Sequence, residues 1–270
     1  VVLLSEVERL NVLQAEALRV TDYFDGLGRQ SQQVGHQSSP TAKDVVLPIT
    51  YDDFGRVSKA YLPYTKANPL ENAGSFRGRA LIEQAGFYQN TPHLAHSQYA
   101  YSLQQYEASP LNRTHQILAP GENWVGSNKG IQTKVTINAN PADPKVAEND
   151  KVRYLKADVI STPDRPVIGG FYAQGGVMGT QTIDEDGKIT EEYRDNLGQV
   201  VMERSKVKDN IWAEIYYVYN DLGQLNFVLP PEAVKLLKQN NWSLSEPSVL
   251  AKIQQLWFHY TYDGRGRLIE

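Results

Sequence analysis

The sequence contains no cysteine, and several other features that would point to a function class are also scarce. Without cysteine the chain cannot form a disulfide, a thiolate zinc site or a thiol nucleophile. No apolar run approaches the ~18 residues that cross a bilayer as a helix, so no membrane span is expected. The 27 Lys and Arg residues are outnumbered by 31 Asp and Glu residues, which gives no basic footprint for nucleic acid.

Aromatic residues and glycine are plentiful instead. The 270 residues include 16 Tyr, 7 Phe, 4 Trp and 20 Gly. Tyrosine suits half-buried strand positions, where its ring packs and its hydroxyl group stays hydrated. The length fits one large all-β domain or two smaller ones. We therefore expect short strands joined by many turns.

One seven-residue pattern recurs along the chain: an aromatic residue, Asp or Asn, two free positions, Gly, a long polar residue and an apolar residue. Complete copies span residues 51–57, 219–225 and 262–268. The copy at 24–30 departs only at its last position, and those at 183–189 and 194–200 lack the aromatic residue in register. Chance predicts ~0.4 occurrences of the central Asx-x-x-Gly followed by Arg, Lys or Gln, so six occurrences indicate a repeat.

The spacing predicts that each copy is the tip of a β-hairpin. Asp or Asn at the first position of a turn hydrogen-bonds the backbone two residues on, and Gly takes the left-handed position that closes the loop. The predicted turn residues are Asp25, Gly28, Asp52, Gly55, Asp184, Gly187, Asp195, Gly198, Asn220, Gly223, Asp263 and Gly266. The predicted cross-strand aromatics, each facing the apolar residue after its tip, are Phe24, Tyr51, Tyr219 and Tyr262.

These tips resemble the YD repeats of bacterial RHS-repeat proteins. The run from Tyr23 to Tyr64 is similar to the conserved N-terminal domain of large RHS-type proteins, as are three further segments. Those segments are Ser109-Pro110-Leu111-Asn112-Arg113, Ala119-Pro120-Gly121 and the block from Tyr217 to Glu232. The resemblance implies a sheet that winds into a hollow shell around a C-terminal effector, often a toxin. It also implies a secreted or cell-surface bacterial protein, whose partners are the rest of the same polypeptide and the enclosed effector.

The expected architecture is mainly β, with antiparallel hairpins forming a large curved sheet and a small helical insert. We expect an N-terminal hairpin region over 1–65, an irregular β region with a short helix over 66–150, and YD-type hairpins over 151–270. The helical insert is placed at 231–256, where Pro231 and Ser245 can begin helices. The first 20 residues fit a helix or a strand equally well, and Thr162 to Gly176 is expected to be a loop because of its Pro and Gly content.

The search for reactive constellations predicts no catalytic residue, no metal ligand and no cofactor. His93 and His96 could share a helical face, but Pro92 precedes them and no third ligand is suggested, so a loop is favoured. Asp184, Glu185 and Asp186 could begin a calcium loop, yet a plain turn fits better. The adjacent carboxylates Glu191-Glu192 and Asp52-Asp53 would point to opposite faces of a strand and are best explained as solvated turns.

The favoured function is a structural segment of an RHS-type shell that helps to enclose and deliver an effector, without enzyme activity. The abrupt start at Val1 and stop at Glu270 suggest a piece of a longer protein. The alternative is a carbohydrate-binding or adhesive surface module, in which the Tyr and Trp side chains stack on sugars and glycans are the partners. An enzyme is the third possibility, with the least support from the residues.

Overall fold

The computed structural model describes residues 18–66, 74–147 and 150–269. The helix or strand considered for the first residues therefore lies largely outside the described part of the chain. The chain divides into two compact units, an N-terminal unit over Val1–Ile131 and a C-terminal unit over Gln132–Glu270. Strands far outnumber helices and every strand pair is antiparallel among the described residues, which confirms the mainly β fold class.

The N-terminal unit holds two antiparallel sheets. One has the strand order β1-β2-β3-β5, and the other joins β4, β6 and β7. The strands are β1 (Arg19–Phe24), β2 (Gln30–His36), β3 (Val45–Pro48), β4 (Lys59–Tyr61), β5 (Tyr64–Thr65), β6 (Tyr101–Tyr106) and β7 (Thr114–Leu118). A helix, α1 (Ala80–Asn90), lies in the region that was predicted to contain a short helix, and a π-helical turn covers Glu122–Gly126.

A small apolar cluster supports the first sheet. Val34 and Val46 from neighbouring strands are fully buried, and Tyr64 and Ala80 are buried beside them. The aromatic rings of α1 pack against this cluster, so the helix closes one face of the sheet. Burial of this kind contributes roughly 25 cal/mol for each Å² of apolar surface removed from water.

The C-terminal unit is built on a sheet with the order β16-β15-β14-β13-β12-β11-β8 and a separate pair, β9 and β10. Its strands are β8 (Ile131–Ile137), β9 (Arg153–Ala157), β10 (Pro166–Phe171), β11 (Met178–Ile183), β12 (Ile189–Arg194), β13 (Val200–Lys208), β14 (Ile211–Tyr219), β15 (Leu225–Leu229) and β16 (Phe258–His259). Two helices, α2 (Pro231–Gln239) and α3 (Pro247–Gln254), lie inside the segment predicted as a helical insert. Pro231 opens α2, whereas α3 begins at Pro247 after Glu246, so Ser245 is not its capping residue.

The core of this unit lies on one face of the large sheet. Buried residues of β12 to β15, of the β9–β10 pair and of both helices form one cluster that includes Tyr216, Phe227, Leu237 and Ile253. The long strands β13 and β14 alternate between this buried face and the opposite face, as a half-buried antiparallel sheet requires.

The prediction of a loop from Thr162 to Gly176 is wrong, because β10 occupies Pro166–Phe171. A Cβ atom at Gly169 would lie 2.9 Å from the ring of Tyr154 and 3.1 Å from its carbonyl oxygen. Gly169 therefore permits close packing between the two strands. Glycine in this segment indicates a close backbone approach and not a loop.

Candidate functional site

The six motif copies form tips with the same backbone geometry. The N–H group of the Asp or Asn donates to the carbonyl of the residue after Gly at 2.8–3.0 Å, and the Gly N–H group donates back to the Asp or Asn carbonyl at 2.9–3.0 Å. All six glycines have φ between +75° and +80°. This left-handed conformation is strained for any residue with a Cβ atom, which explains the Gly at this position.

The Asp or Asn side chain organises each tip. Its Oδ1 atom accepts the N–H groups two and four residues later, at 2.8–3.0 Å in all six copies. Where Arg follows Gly, the second oxygen also accepts from the Arg Nε atom, at 2.8 Å in the Asp25 tip, 2.9 Å in the Asp52 tip and 2.7 Å in the Asp263 tip. Three of the six tips thus contain an Asp–Arg clamp in addition to the turn.

Acid is expected to weaken the three clamped tips. The backbone N–H group of the following Arg, and then the Arg side chain, hold the pKa of Asp25, Asp52 and Asp263 below its ordinary value of 3.8. A lowered carboxyl pKa in the folded state stabilises the fold above the ordinary pKa, and this stabilisation is lost as the pH falls through the folded-state value. The melting temperature of the native chain should therefore drop below about pH 4 partly through these tips.

The measurement is the melting temperature between pH 6 and pH 2.5 for the native chain and for the triple variant D25N/D52N/D263N. Asn220 already makes both Oδ1 contacts, so asparagine can keep the turn while it removes the titrating group. The variant should lose less stability than the native chain over this range. Parallel curves would contradict the prediction.

Neighbouring tips are joined by a tyrosine hydroxyl group. Tyr51 donates to the carbonyl of Gln30 at 2.9 Å, Tyr219 to that of Val200 at 3.1 Å and Tyr262 to that of Leu225 at 2.9 Å. Each acceptor lies two residues after the Gly of the preceding tip. The tyrosine at the aromatic position of the motif therefore links its own hairpin to the neighbouring one by a hydrogen bond.

The long polar residue after Gly makes the second contact between tips. The guanidinium carbon of Arg29 lies 4.5 Å from the centre of the Tyr51 ring, and Gln199 Nε2 donates to the Gly223 carbonyl at 3.2 Å. A Cβ atom at Gly223 would lie 3.0 Å from Gln199 Nε2, and one at Gly266 would lie 3.2 Å from Gln224 Nε2. These glycines thus also leave room for the side chain from the preceding tip.

One further hairpin tip does not match the sequence pattern. Glu107 and Arg113 close a loop two residues longer than the others, with the Glu107 N–H group donating to the Arg113 carbonyl at 2.9 Å and the side chains 2.7 Å apart. Asn112 takes the Gly position with φ +53°. Tyr106, before this loop, donates to the Val57 carbonyl at 3.3 Å and lies 4.2 Å below the Arg56 guanidinium. In the sequence, this tip could have been found from the pairs Tyr106-Glu107 and Asn112-Arg113, which flank the loop.

The aromatic positions without a tyrosine have a common explanation. Phe24 pairs with Gln30, Ile183 with Ile189 and Arg194 with Val200, and none of the three makes a described contact with a preceding tip. Tyr219 pairs with Leu225 and Tyr262 with Leu268, as the cross-strand interpretation predicts. Tyr51 lies outside the strands and hydrogen-bonds the preceding tip. Tyrosine therefore marks tips that follow another tip at the same end of a sheet.

Replacing Tyr219 with Phe should cost ~0.5–1.5 kcal/mol of unfolding free energy, because the ring packing is kept and one hydrogen bond to the neighbouring tip is lost. The measurement is urea unfolding of the native chain and of Tyr219→Phe. Tyr154→Phe serves as the control, since its hydroxyl group makes no described hydrogen bond and Tyr154 is 42% exposed. Equal destabilisation by the two changes would argue against the contact between tips.

A row of charged side chains crosses the buried face of the C-terminal unit. Glu191, Arg204 and Glu214 face one another on β12, β13 and β14 and are 7%, 6% and 4% exposed. Glu191 Oε2 accepts from Arg204 Nη2 at 2.6 Å and from the Tyr193 hydroxyl group at 2.9 Å. Lys238 of α2 donates to Glu214 Oε1 at 2.7 Å and ends the row. The interpretation of Glu191 as a solvated turn residue is therefore wrong.

The row holds the Tyr193 phenol in its protonated form and the Arg204 guanidinium in its charged form. Burial raises the pKa of the Tyr193 phenol to about 12. Burial alone would lower the pKa of the Arg204 guanidinium, but Tyr193, Glu191 and Glu214 outweigh it and raise that pKa. Arg204 also lies 4.3 Å from the centre of the Trp212 ring. The arrangement is that of a structural ion network, with each charge facing an opposite one.

The described residues contain no cluster of three or more His, Asp or Glu side chains placed to hold a metal ion. His93 and His96 lie after the end of α1 with φ of +69° and +49°, and His96 Nδ1 lies 2.7 Å from the Gln89 carbonyl oxygen. Within the same described ranges, no helix has the length and apolar character needed to cross a bilayer.

Comparisons with known proteins give one family and several solved structures. A family described as "Domain of unknown function (DUF6443)" matches residues 5–137. A chain of the Photorhabdus luminescens Tc holotoxin pore is similar over 93% of this chain, with 16% identity and a TM-score of 0.46. A chain of the TcdB2-TccC3-Cdc42 crystal structure is similar over 93%, with 15% identity and a TM-score of 0.44. This chain spans 10% of the length of each, and no curated protein matches it.

Proposed function

We propose that this chain is a structural segment of a secreted RHS-type shell, which encloses a C-terminal effector or toxin and helps to deliver it. The segment acts as a scaffold and carries no active site of its own. The observation that supports the proposal best is the contact from tyrosine to the preceding tip, which recurs four times, at Tyr51, Tyr106, Tyr219 and Tyr262.

This contact gives the series of hairpins a direction. A hairpin with a tyrosine at this position uses it to bind the preceding tip, and it offers a carbonyl group and a long polar side chain to the next one. Leu268 and Arg267 occupy these two positions in the Asp263 tip, where the Arg267 side chain is 72% exposed. In the proposed shell, the next hairpin of the parent polypeptide places a tyrosine on the Leu268 carbonyl. Successive additions of this kind extend one sheet into a wall around a cavity.

The test uses the chain together with its natural C-terminal continuation. Electron cryomicroscopy should show further antiparallel hairpins that continue the sheet beyond Phe258–His259, with a tyrosine hydroxyl group on the Leu268 carbonyl. A C-terminal segment inside the wall should resist trypsin until the shell is opened by denaturant. A continuation that folds as a separate globular domain, with its C-terminal segment equally cleavable in both states, would overturn the proposal.

The isolated chain is expected to self-associate through open strand edges. Among the described residues, β1 pairs with β2 alone and β16 with β15 alone. Leu18, Val20 and Phe24 beside the first edge are 76%, 48% and 63% exposed. Unpaired strand edges with exposed apolar side chains favour edge-to-edge pairing. Sedimentation velocity over a concentration series should show growing oligomers, and a single monomeric species at all concentrations would count against a shell segment.

A carbohydrate-binding or adhesive module is the second candidate. A cavity of about 200 Å³ in the C-terminal unit is lined by Tyr154, Tyr172, Lys156, Asp195 and Tyr219. The rings of Tyr154 and Tyr172 are 5.3 Å apart and nearly perpendicular. Burial, with a smaller effect from the Asp195 carboxylate, raises the pKa of the Tyr172 phenol well above its ordinary value, so its hydroxyl group stays a hydrogen-bond donor. Aromatic faces beside neutral and charged polar groups suit a sugar.

A glycan array tests this candidate directly. Binding by the native chain that disappears in a folded Tyr154→Ala variant would support it. No hit with a folded chain would remove it. The same preparation separates a scaffold from an enzyme: if Asp52→Ala and Asp184→Ala lower stability and leave any measured turnover of the native chain unchanged, these residues serve turns only.

A further inference from the structure

A groove of about 610 Å³ separates the β13–β14 hairpin from helix α2 in the C-terminal unit. Val207, Ile211, Trp212 and Val234 supply apolar lining. Val207 and Ile211 are 65% and 45% exposed, so the apolar wall reaches the surface. The volume falls within the ~300–1,000 Å³ that is common for ligand sites.

Glu214 also lines this groove, and its carboxylate is only half satisfied. The residue is 4% exposed, and Oε1 accepts a hydrogen bond from Lys238 Nζ at 2.7 Å. The other oxygen, Oε2, is buried and has no hydrogen-bond partner among the described residues. Buried acceptors without a partner are rare in folded proteins, because such an atom loses its hydration without compensation. A donor brought by a ligand would remove this deficit.

The charges around Glu214 favour a neutral donor over a cation. Glu214 already faces the guanidinium of Arg204 across the strands and the ammonium group of Lys238. At the rim, Glu232 is paired with Lys235 at 3.0 Å. A second cation at Glu214 would meet two like charges within the low-dielectric interior, whereas an O–H group would bind the carboxylate without this repulsion.

We propose that the groove binds a tyrosine side chain of a partner polypeptide. Its ring would pack against Trp212, Ile211 and Val234, and its hydroxyl group would donate to Glu214 Oε2. The chain itself uses this pairing three times, from Tyr64 to Glu83 at 2.8 Å, from Tyr193 to Glu191 at 2.9 Å and from Tyr217 to Glu203 at 3.1 Å. The Lys238 side chain, which binds the other oxygen, is 32% exposed, and the proposal requires it to move aside when the hydroxyl group binds Oε2. The proposal does not depend on the shell.

The test compares N-acetyl-tyrosinamide with N-acetyl-phenylalaninamide, which lacks only the hydroxyl group. The four indole N–H signals of the chain, labelled with ¹⁵N-tryptophan and assigned through a Trp212→Phe variant, report binding at this groove. The tyrosine amide should shift the Trp212 signal with a dissociation constant roughly tenfold lower than that of the phenylalanine amide, since a hydrogen bond to a charged group is of this size. Equal affinities, or shifts confined to the other tryptophans, would overturn the proposal.

Variants of the chain test whether the hydroxyl group of the tyrosine amide binds Glu214. Glu214→Gln should remove most of the preference for tyrosine, and Glu203→Gln, on the opposite face of β13, should keep it. Ile211→Ser should weaken both amides equally, and this variant keeps the test decisive if Glu214→Gln fails to fold. Retention of the full preference in a folded Glu214→Gln chain would overturn the proposal, and so would displacement of the Trp212 shift by methyl glucoside alone, which would indicate a sugar site.

Discussion

Replacement of Arg204 by Met is expected to destabilise the C-terminal unit by ~3–5 kcal/mol, which is a large share of the stability of a typical domain. The change leaves the Glu191 carboxylate buried, with hydrogen bonds from Tyr193 and Gln181 but no opposite charge. It also removes the cation that faces Glu214 across the strands. Urea unfolding followed by tryptophan fluorescence measures the effect, because Trp212, Trp242 and Trp257 all lie in this unit.

A matched surface pair provides the control for this prediction. Arg194 and Glu192 lie 2.6 Å apart on the opposite face, where their side chains are 50% and 34% exposed. Arg194→Met should cost no more than ~1 kcal/mol, since exposed ion pairs contribute little. The double variant Glu191→Leu/Arg204→Met should recover part of the loss, because no charge is then left unpaired at Glu191. Similar costs for Arg204→Met and Arg194→Met would show that water reaches the buried row.

The hairpin tips could be predicted from the sequence because their cause is local. The Asp or Asn side chain, the left-handed Gly and the following polar residue act within five positions, so spacing alone reveals them. The hydrogen bond from the motif tyrosine to the preceding tip could not be predicted from the sequence in the same way. The acceptor of the Tyr219 hydroxyl group, Val200, lies 19 residues earlier and becomes its neighbour only through the register of β13 and β14.

The buried charge row depends on register in the same way. Glu191, Arg204 and Glu214 are separated by irregular intervals in the sequence, and only the pairing of three strands places them opposite one another. A shift of one residue in either pair would move a member to the opposite face. Sequence alternation could assign Glu191 and Glu192 to different faces, but it could not show which face is buried. That choice is made by α2, α3 and the β9–β10 pair, which cover the sheet.

Asp44→Ala is expected to have a comparable effect on the N-terminal unit, also ~3–5 kcal/mol. Asp44 is fully buried, and its Oδ1 atom accepts the Gln37 N–H group at 2.9 Å. Its Oδ2 atom accepts the Gly74 N–H group and Arg77 Nη2, both at 2.9 Å. Loss of the carboxylate leaves these donors without the acceptor that they share and removes an opposite charge from the Arg77 guanidinium, whose side chain is 6% exposed.

Two further variants separate charge from hydrogen bonding at this site. Asp44→Asn keeps one acceptor oxygen but no charge, so its loss should lie between that of Asp44→Ala and zero. Asp53→Ala, at the exposed position next to Asp52, should change the unfolding free energy by less than ~0.5 kcal/mol. Native-state hydrogen exchange should show that Asp44→Ala accelerates exchange in β2 and β3, between which Asp44 lies. Protection unchanged in these strands, with full stability retained, would mean that Asp44 does not anchor the segment at Gly74 and Arg77 to the sheet.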